Sequence, residues 1–195
     1  MKKLLLYIFI LQAIVFFAQD GFVPGYVVTY KGDTMKGKIK DRKYPKSTTS
    51  WQKIDFIDSA GNKFGYDPEE IKEYIRIGKT RYYSLNIGVT SKPTFLEVQQ
   101  EGAVILYAYN RGTWGGAGMA IVVKTSETGP KEHVEFFLQK KNQPNSLMQW
   151  RPGDYERTAK VFFKDNEELL KQIETGTLKE EDIFEIVKKY NESKK

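Results

Sequence analysis

From Gly25 to about Phe163 apolar and polar positions alternate in short aromatic and β-branched runs, broken by turn residues at intervals near ten. A period of two over runs this short predicts strands with one face buried, and the regular breaks predict hairpins. Gly25–Tyr30 and Thr34–Ile39 flank Lys31-Gly32-Asp33, where Gly32 supplies the left-handed backbone a tight turn needs. Trp51–Ile57 and Lys63–Tyr66 flank a second turn at 58–62. Asp67-Pro68-Glu69-Glu70 predicts one helical turn, since a capping residue precedes proline and Glu70 lies three residues on. Strands return at Glu73–Ile77 and Arg81–Leu85, and 86–93 reads as a linker between two smaller sheets. Further strands are predicted at Thr94–Gln99, Ala103–Tyr109, Met119–Thr125, His133–Gln139, Leu147–Trp150 and Arg157–Phe163. After Phe163 the period becomes 3.6. Asp165 with Glu168 and Thr177 with Glu180 are capping pairs ahead of two apolar stripes, Leu169-Leu170-Ile173 and Ile183-Phe184-Val187-Tyr190.

The expected fold is α+β, mostly antiparallel β, as a bent sheet, roll or half-open barrel carrying a C-terminal helical hairpin. The expected division is a signal peptide at 1–18, a β-rich domain at 19–163 and the helical hairpin at 164–195. A membrane β-barrel is the architectural rival. It is disfavoured because membrane strands need about 9–11 residues, and several runs here are shorter.

The first residues change the picture. Lys2 and Lys3 precede an apolar run from Leu4 to Phe17 that ends in Ala18-Gln19-Asp20. This run is shorter than the ~20 residues a spanning helix needs and stops at a small residue, the pattern of a signal peptide cut between Ala18 and Gln19. The expected destination is therefore the periplasm, the outer-membrane surface or the extracellular space, with no stable transmembrane span after processing. An uncleaved anchor is the competing reading, because Phe16 is bulkier than the residue usual at that position.

Composition excludes more than it identifies. The 195 residues include no cysteine and one histidine, His133. That removes disulfides, thiol nucleophiles, Cys-ligated zinc and any site needing two histidines. The formal charge is +6, falling to +4 once the leader is gone, with basic and acidic residues interspersed. Such a mild bias gives no basis for nucleic-acid binding. The lysines of 36–46 read as the solvated face of an edge strand.

No catalytic constellation emerges. His133 has no G-x-S-x-G partner, and no calcium loop is present. The pairs Asp55/Asp58, Asp67/Glu69 and Asp154/Glu156 offer carboxylates for glycoside hydrolysis, but acids at such spacing are common on surfaces. Gly112–Gly118 lacks the geometry of a phosphate loop and reads as a hairpin tip carrying Trp114 beside Arg111, with Tyr109 just before it. Those three are the expected ligand or partner contacts, since an exposed aromatic on a loop tip can stack on a sugar or lodge in a protein pocket. Tyr82 and Tyr83 are adjacent on a strand and so point to opposite faces.

The leader, Gly25-Tyr26-Val27-Val28-Thr29-Tyr30 through Ile39, Tyr66-Asp67-Pro68-Glu69-Glu70-Ile71, and the tail Phe162-Phe163-Lys164-Asp165-Asn166-Glu167-Glu168-Leu169 together resemble secreted envelope proteins of Bacteroidetes-type bacteria. The resemblance implies an extracytoplasmic β-rich domain and brings no catalytic residue. The functional expectation is an exported, non-catalytic binding or structural module of the cell envelope, without cofactor or metal and with an envelope protein or glycan as partner. A carboxylate-dependent hydrolase of envelope polysaccharide is the alternative. Oligomeric state stays open.

Overall fold

The computed structural model describes residues 21–41, 53–78, 80–88, 92–110, 121–123 and 132–195. Its strands are β1 (Val23–Thr29), β2 (Thr34–Asp41), β3 (Ile54–Asp58), β4 (Lys63–Tyr66), β5 (Ile71–Arg76), β6 (Arg81–Leu85), β7 (Thr94–Gln100), β8 (Val104–Asn110), β9 (Ile121–Val123), β10 (Glu132–Lys140) and β11 (Gln143–Trp150). They form one antiparallel sheet in the order β11-β10-β8-β7-β6-β5-β1-β2-β3-β4, with β9 paired to β10 beyond the end of β11. Three helices follow: α1 (Tyr155–Phe162), α2 (Glu167–Glu174) and α3 (Ile183–Glu192). The architecture is therefore α+β and mostly β, as the alternation implies.

The connection from β4 to β5 dictates the shape of one half. These strands lie at opposite margins of the block β4-β3-β2-β1-β5, and the register places Tyr66 at one end of it and Ile71 at the other. In a flat sheet the two residues would stand about 30 Å apart. Five Cα steps reach at most about 18 Å. The block must therefore coil. Gly25 and Gly37, register partners on β1 and β2, permit it: a Cβ on Gly37 would sit 2.0 Å from the Ile57 carbonyl oxygen, and one on Gly25 2.3 Å from that of Ile75. The linking loop lies across the roll, where the Pro68 carbonyl accepts hydrogen bonds from the hydroxyls of Tyr30 and of Ser84 on β6. Inside are Val27, Ile39, Ile54, Phe56, Ile71, Tyr74 and Phe95, none more than 3% exposed.

The same sheet face continues onto β8, β10 and β11, and there the helices cover it. Val104, Leu106, Phe136, Leu138 and Trp150 pack against Ala159, Phe162, Phe163, Leu169, Ile173, Ile183, Ile186, Val187 and Tyr190. On the opposite face Leu96, Tyr107, Tyr109 and Phe137 make a third cluster.

Four local expectations are corrected. Arg157–Phe163 is not a strand: Tyr155, Thr158, Ala159, Phe162 and Phe163 fall at helical spacing, and most of them meet the core. Residues 86–93 do not separate two sheets, because β6 pairs directly with β7. Asn166, not Asp165, caps α2, accepting the Leu169 N–H at 3.0 Å, while Asp165 accepts a hydrogen bond from the Tyr190 hydroxyl. Phe184 stands 41% exposed, and Ile186 takes the buried place in the α3 stripe.

One side chain locks the helices to the sheet. Asn191 accepts the Val104 N–H through Oδ1 and donates to the Val104 carbonyl through Nδ2, both at 2.9 Å, so an amide on α3 substitutes for a neighbouring strand. Gly102 leaves it room, since a Cβ there would come within 2.5 Å of the Asn191 amide. Asn191→Ala should cost about 2 kcal/mol by orphaning two backbone groups, read as a lower urea midpoint. Gly102→Ala should be destabilising alone and much less so in the Asn191→Ala background, and purely additive effects would contradict the contact.

Candidate functional site

Alternation on β5 and β6 sends polar and aromatic groups to both faces of the sheet. On the helix-bearing face the Tyr74 and Tyr82 rings stack at 4.5 Å with an 8° interplanar angle, and Phe95 meets Tyr74 edge-on at 4.9 Å. One step along the same face, Arg76 reaches past β1, where its register partner is Gly25, to Asp41 on β2. Its Nη2 donates to Thr80 Oγ1 at 2.8 Å and to the Tyr82 hydroxyl at 2.9 Å. Tyr82 in turn donates to Glu97 Oε2 at 3.1 Å, and Tyr74 donates to Asp41 Oδ1 at 3.2 Å. Two carboxylates, one guanidinium and two phenols thus form a continuous seam from β2 to β7.

A second seam runs over the opposite face. Arg81 lies between Glu73, 3.6 Å from Nε, and Glu101, 2.9 Å from Nη1. Its guanidinium sits over the Tyr83 ring at 5.3 Å, and Tyr83 meets Tyr107 edge-on at 6.1 Å. Tyr107 donates to Gln139 Oε1, whose amide nitrogen donates to the Pro144 carbonyl. Tyr82 and Tyr83 do face opposite ways, one in each seam.

Burial sets the titration of these phenols. It pushes Tyr82 and Tyr83 up to about 12, with Glu73 adding to the effect at Tyr83. Tyr74 goes further up, by burial first and the Asp41 charge second, and Tyr107 by burial first and Tyr83 second. All four stay protonated at neutral pH and act as hydrogen-bond donors, not as bases.

Four of the acids picked out in the sequence, Asp58, Asp67, Glu69 and Asp154, are engaged with separate partners. Asp58 accepts the backbone N–H groups of Ala60 and Asn62 and the Asn62 side chain, and the Asn62 side-chain bond leads in holding its carboxyl below the usual range. Asp55 lies three residues back on the same strand, hence on the other face. Asp67 pairs with Lys53 at 2.7 Å, Glu69 with Lys92 at 2.8 Å and Asp154 with Arg157 at 3.4 Å. Among the described residues no group of three acids or histidines is gathered as for a metal ion.

Of the expected contact residues, Tyr109 is 8% exposed and belongs to the cluster of Leu96, Tyr107 and Phe137. Arg111 and Trp114 lie outside the described residues, as do Ala18, Gln19 and Trp51. Trp150 is a core residue, its indole donating to the Glu180 carbonyl at 3.1 Å. The seam residues Asp41, Arg76, Arg81 and Glu97 were missed by the sequence reading. Their only local trace is Arg76 two residues from Tyr74 and Arg81 two from Tyr83, spacing that puts each pair on one face. No protein-family model, curated protein or solved structure matches the chain.

Because the seam tyrosines hold their protons more tightly folded than unfolded, the stability they contribute is fully present below pH 10 and is lost as pH rises toward about 12. Absorbance near the phenolate band should show a group of tyrosines ionising only together with loss of the folded circular dichroism signal. Smooth titration of every tyrosine near 10 in the folded protein would contradict the burial described.

Proposed function

We propose that this protein is an exported, non-catalytic binding or structural module of a bacterial cell envelope, with an envelope protein or glycan as its partner. The leader and the resemblance to secreted envelope proteins support the destination. The observation that carries the non-catalytic reading is the engagement of the charged side chains. Asp41, Arg76 and Glu97 are held in one seam and Glu73, Arg81 and Glu101 in the other, while Asp58, Asp67, Glu69 and Asp154 fasten turns and loops. A general acid or base must exchange a proton with substrate, and each of these carboxylates already has a hydrogen-bond or ion-pair partner within the chain. Cross-strand pairing of this kind makes a stiff platform, from which the segment between β8 and β9, carrying Arg111 and Trp114, supplies the contact.

Fractionation of the native host with mass spectrometry of the mature N-terminus tests the destination: the chain should begin at Gln19 and appear in the envelope. Recovery from the cytosol with Met1 attached would overturn it. In the same envelope extract, in vivo crosslinked partners recovered with the wild type should fall severalfold with Trp114→Ala and Arg111→Ala combined. Unchanged recovery would remove that segment from the binding account.

A further inference from the structure

An open sheet ends in two edges, here β4 on one side and β11 with the short β9 on the other. β11 is blunted: it carries Pro144, which has no N–H to offer, and its pairing with β10 slips between Leu138 and Lys140. β4 carries neither a proline nor a bulge: its protection is limited to its four-residue length and Lys63, and it keeps an unbroken register with β3.

The direction of its backbone groups follows from one hydrogen bond. Asp58 N–H donates to the Asn62 carbonyl at 3.0 Å, which makes 58 and 62 a hydrogen-bonded pair. Bonded and non-bonded pairs alternate along an antiparallel ladder. Phe56 with Phe64 and Ile54 with Tyr66 are then bonded pairs, so the N–H and C=O of Lys63 and Gly65 point away from β3, where no described strand pairs. On this edge stands Phe64, 41% exposed with its ring parallel to Tyr66 at 5.9 Å. It is the one exposed large apolar side chain among the described residues that lies on a strand.

We propose that β4 pairs with β4 of a second copy of this chain, antiparallel about a two-fold axis at Phe64, so that two sheets become one. Lys63 of each copy falls opposite Gly65 of the other, which gives four inter-chain backbone hydrogen bonds and keeps the lysines from facing each other. The two Phe64 residues form the close, non-bonded pair, with their rings on one face. On the other edge Pro144 removes one backbone donor and the β10–β11 register is irregular. A four-residue edge with one aromatic per copy covers far less than the ~1,200 Å² of a standard stable interface, so this association is weak and depends on concentration.

The absence of native cysteine gives a direct test. Phe64→Cys in the otherwise intact chain should oxidise to a disulfide-linked dimer. Lys63→Cys should do so roughly tenfold less, because the two-fold axis holds those Cα atoms about 8–9 Å apart, beyond disulfide reach. The wild type should show reversible dimerisation by sedimentation equilibrium. Phe64→Lys, a change at a side chain that is 41% exposed and borders the core at Phe56, should stay monomeric with an unchanged circular dichroism spectrum. A wild type that stays monomeric at its highest soluble concentration would overturn the proposal. So would equal crosslinking at positions 63 and 64, or a Phe64→Lys variant that dimerises like the wild type.

Discussion

Four residues, 67 to 70, must carry the chain from β4 to β5 across three intervening strands, and the rest of the architecture follows from that shortness. Only a coiled sheet brings Tyr66 and Ile71 within reach. Coiling turns one apolar face inward, so that Phe56, Tyr74 and Phe95 belong to one core without a helix among its members. Gly25 and Gly37 stand where backbones approach too closely for a side chain. The same face runs on past β7, and there the helices cover it from outside. Three short amphipathic helices supply the cover, and Asn191 fixes them to the first residue of β8.

The two seams lie where these regimes meet. Strands β5 and β6 belong to the roll on one side and adjoin the helix-covered half on the other, and their alternating residues send Arg76 and Arg81 to opposite faces. Arg76 pairs with Asp41 on β2 and reaches Glu97 on β7 through the Tyr82 hydroxyl. Arg81 sits between Glu73 on β5 and Glu101 just past β7, and a tyrosine ring lies beside each guanidinium. The arrangement ties strands together laterally and uses the local charge in doing so. That is the physical basis for reading the protein as a stiff platform whose contacts lie on connecting segments and on an unpaired edge.

Much of this was legible along the chain, for identifiable reasons. Hairpins declared themselves through local chemistry, as at Gly32 with its φ of +94° and at the Asp58–Asn62 turn. The coil did not, since it depends on which strands neighbour one another. The first helix was obscured because Val161, Phe162 and Phe163 concentrate β-favouring side chains within an eight-residue stretch, while the spacing from Tyr155 to Phe163 is helical. The seams were invisible for the same reason as the coil: Asp41 and Arg76 are 35 positions apart and share a face only once β1 has been placed between them.

Amide hydrogen exchange on Gly37→Ala tests the coiling account most directly. A Cβ at that position collides with the Ile57 carbonyl and the Phe56 ring. Protection should collapse across β1 to β4, while β8 and β10, held beneath the helices, lose less or fail only with global unfolding. A variant that matches the wild type in stability and keeps full protection in β1 to β4 would show that the roll does not depend on that close approach.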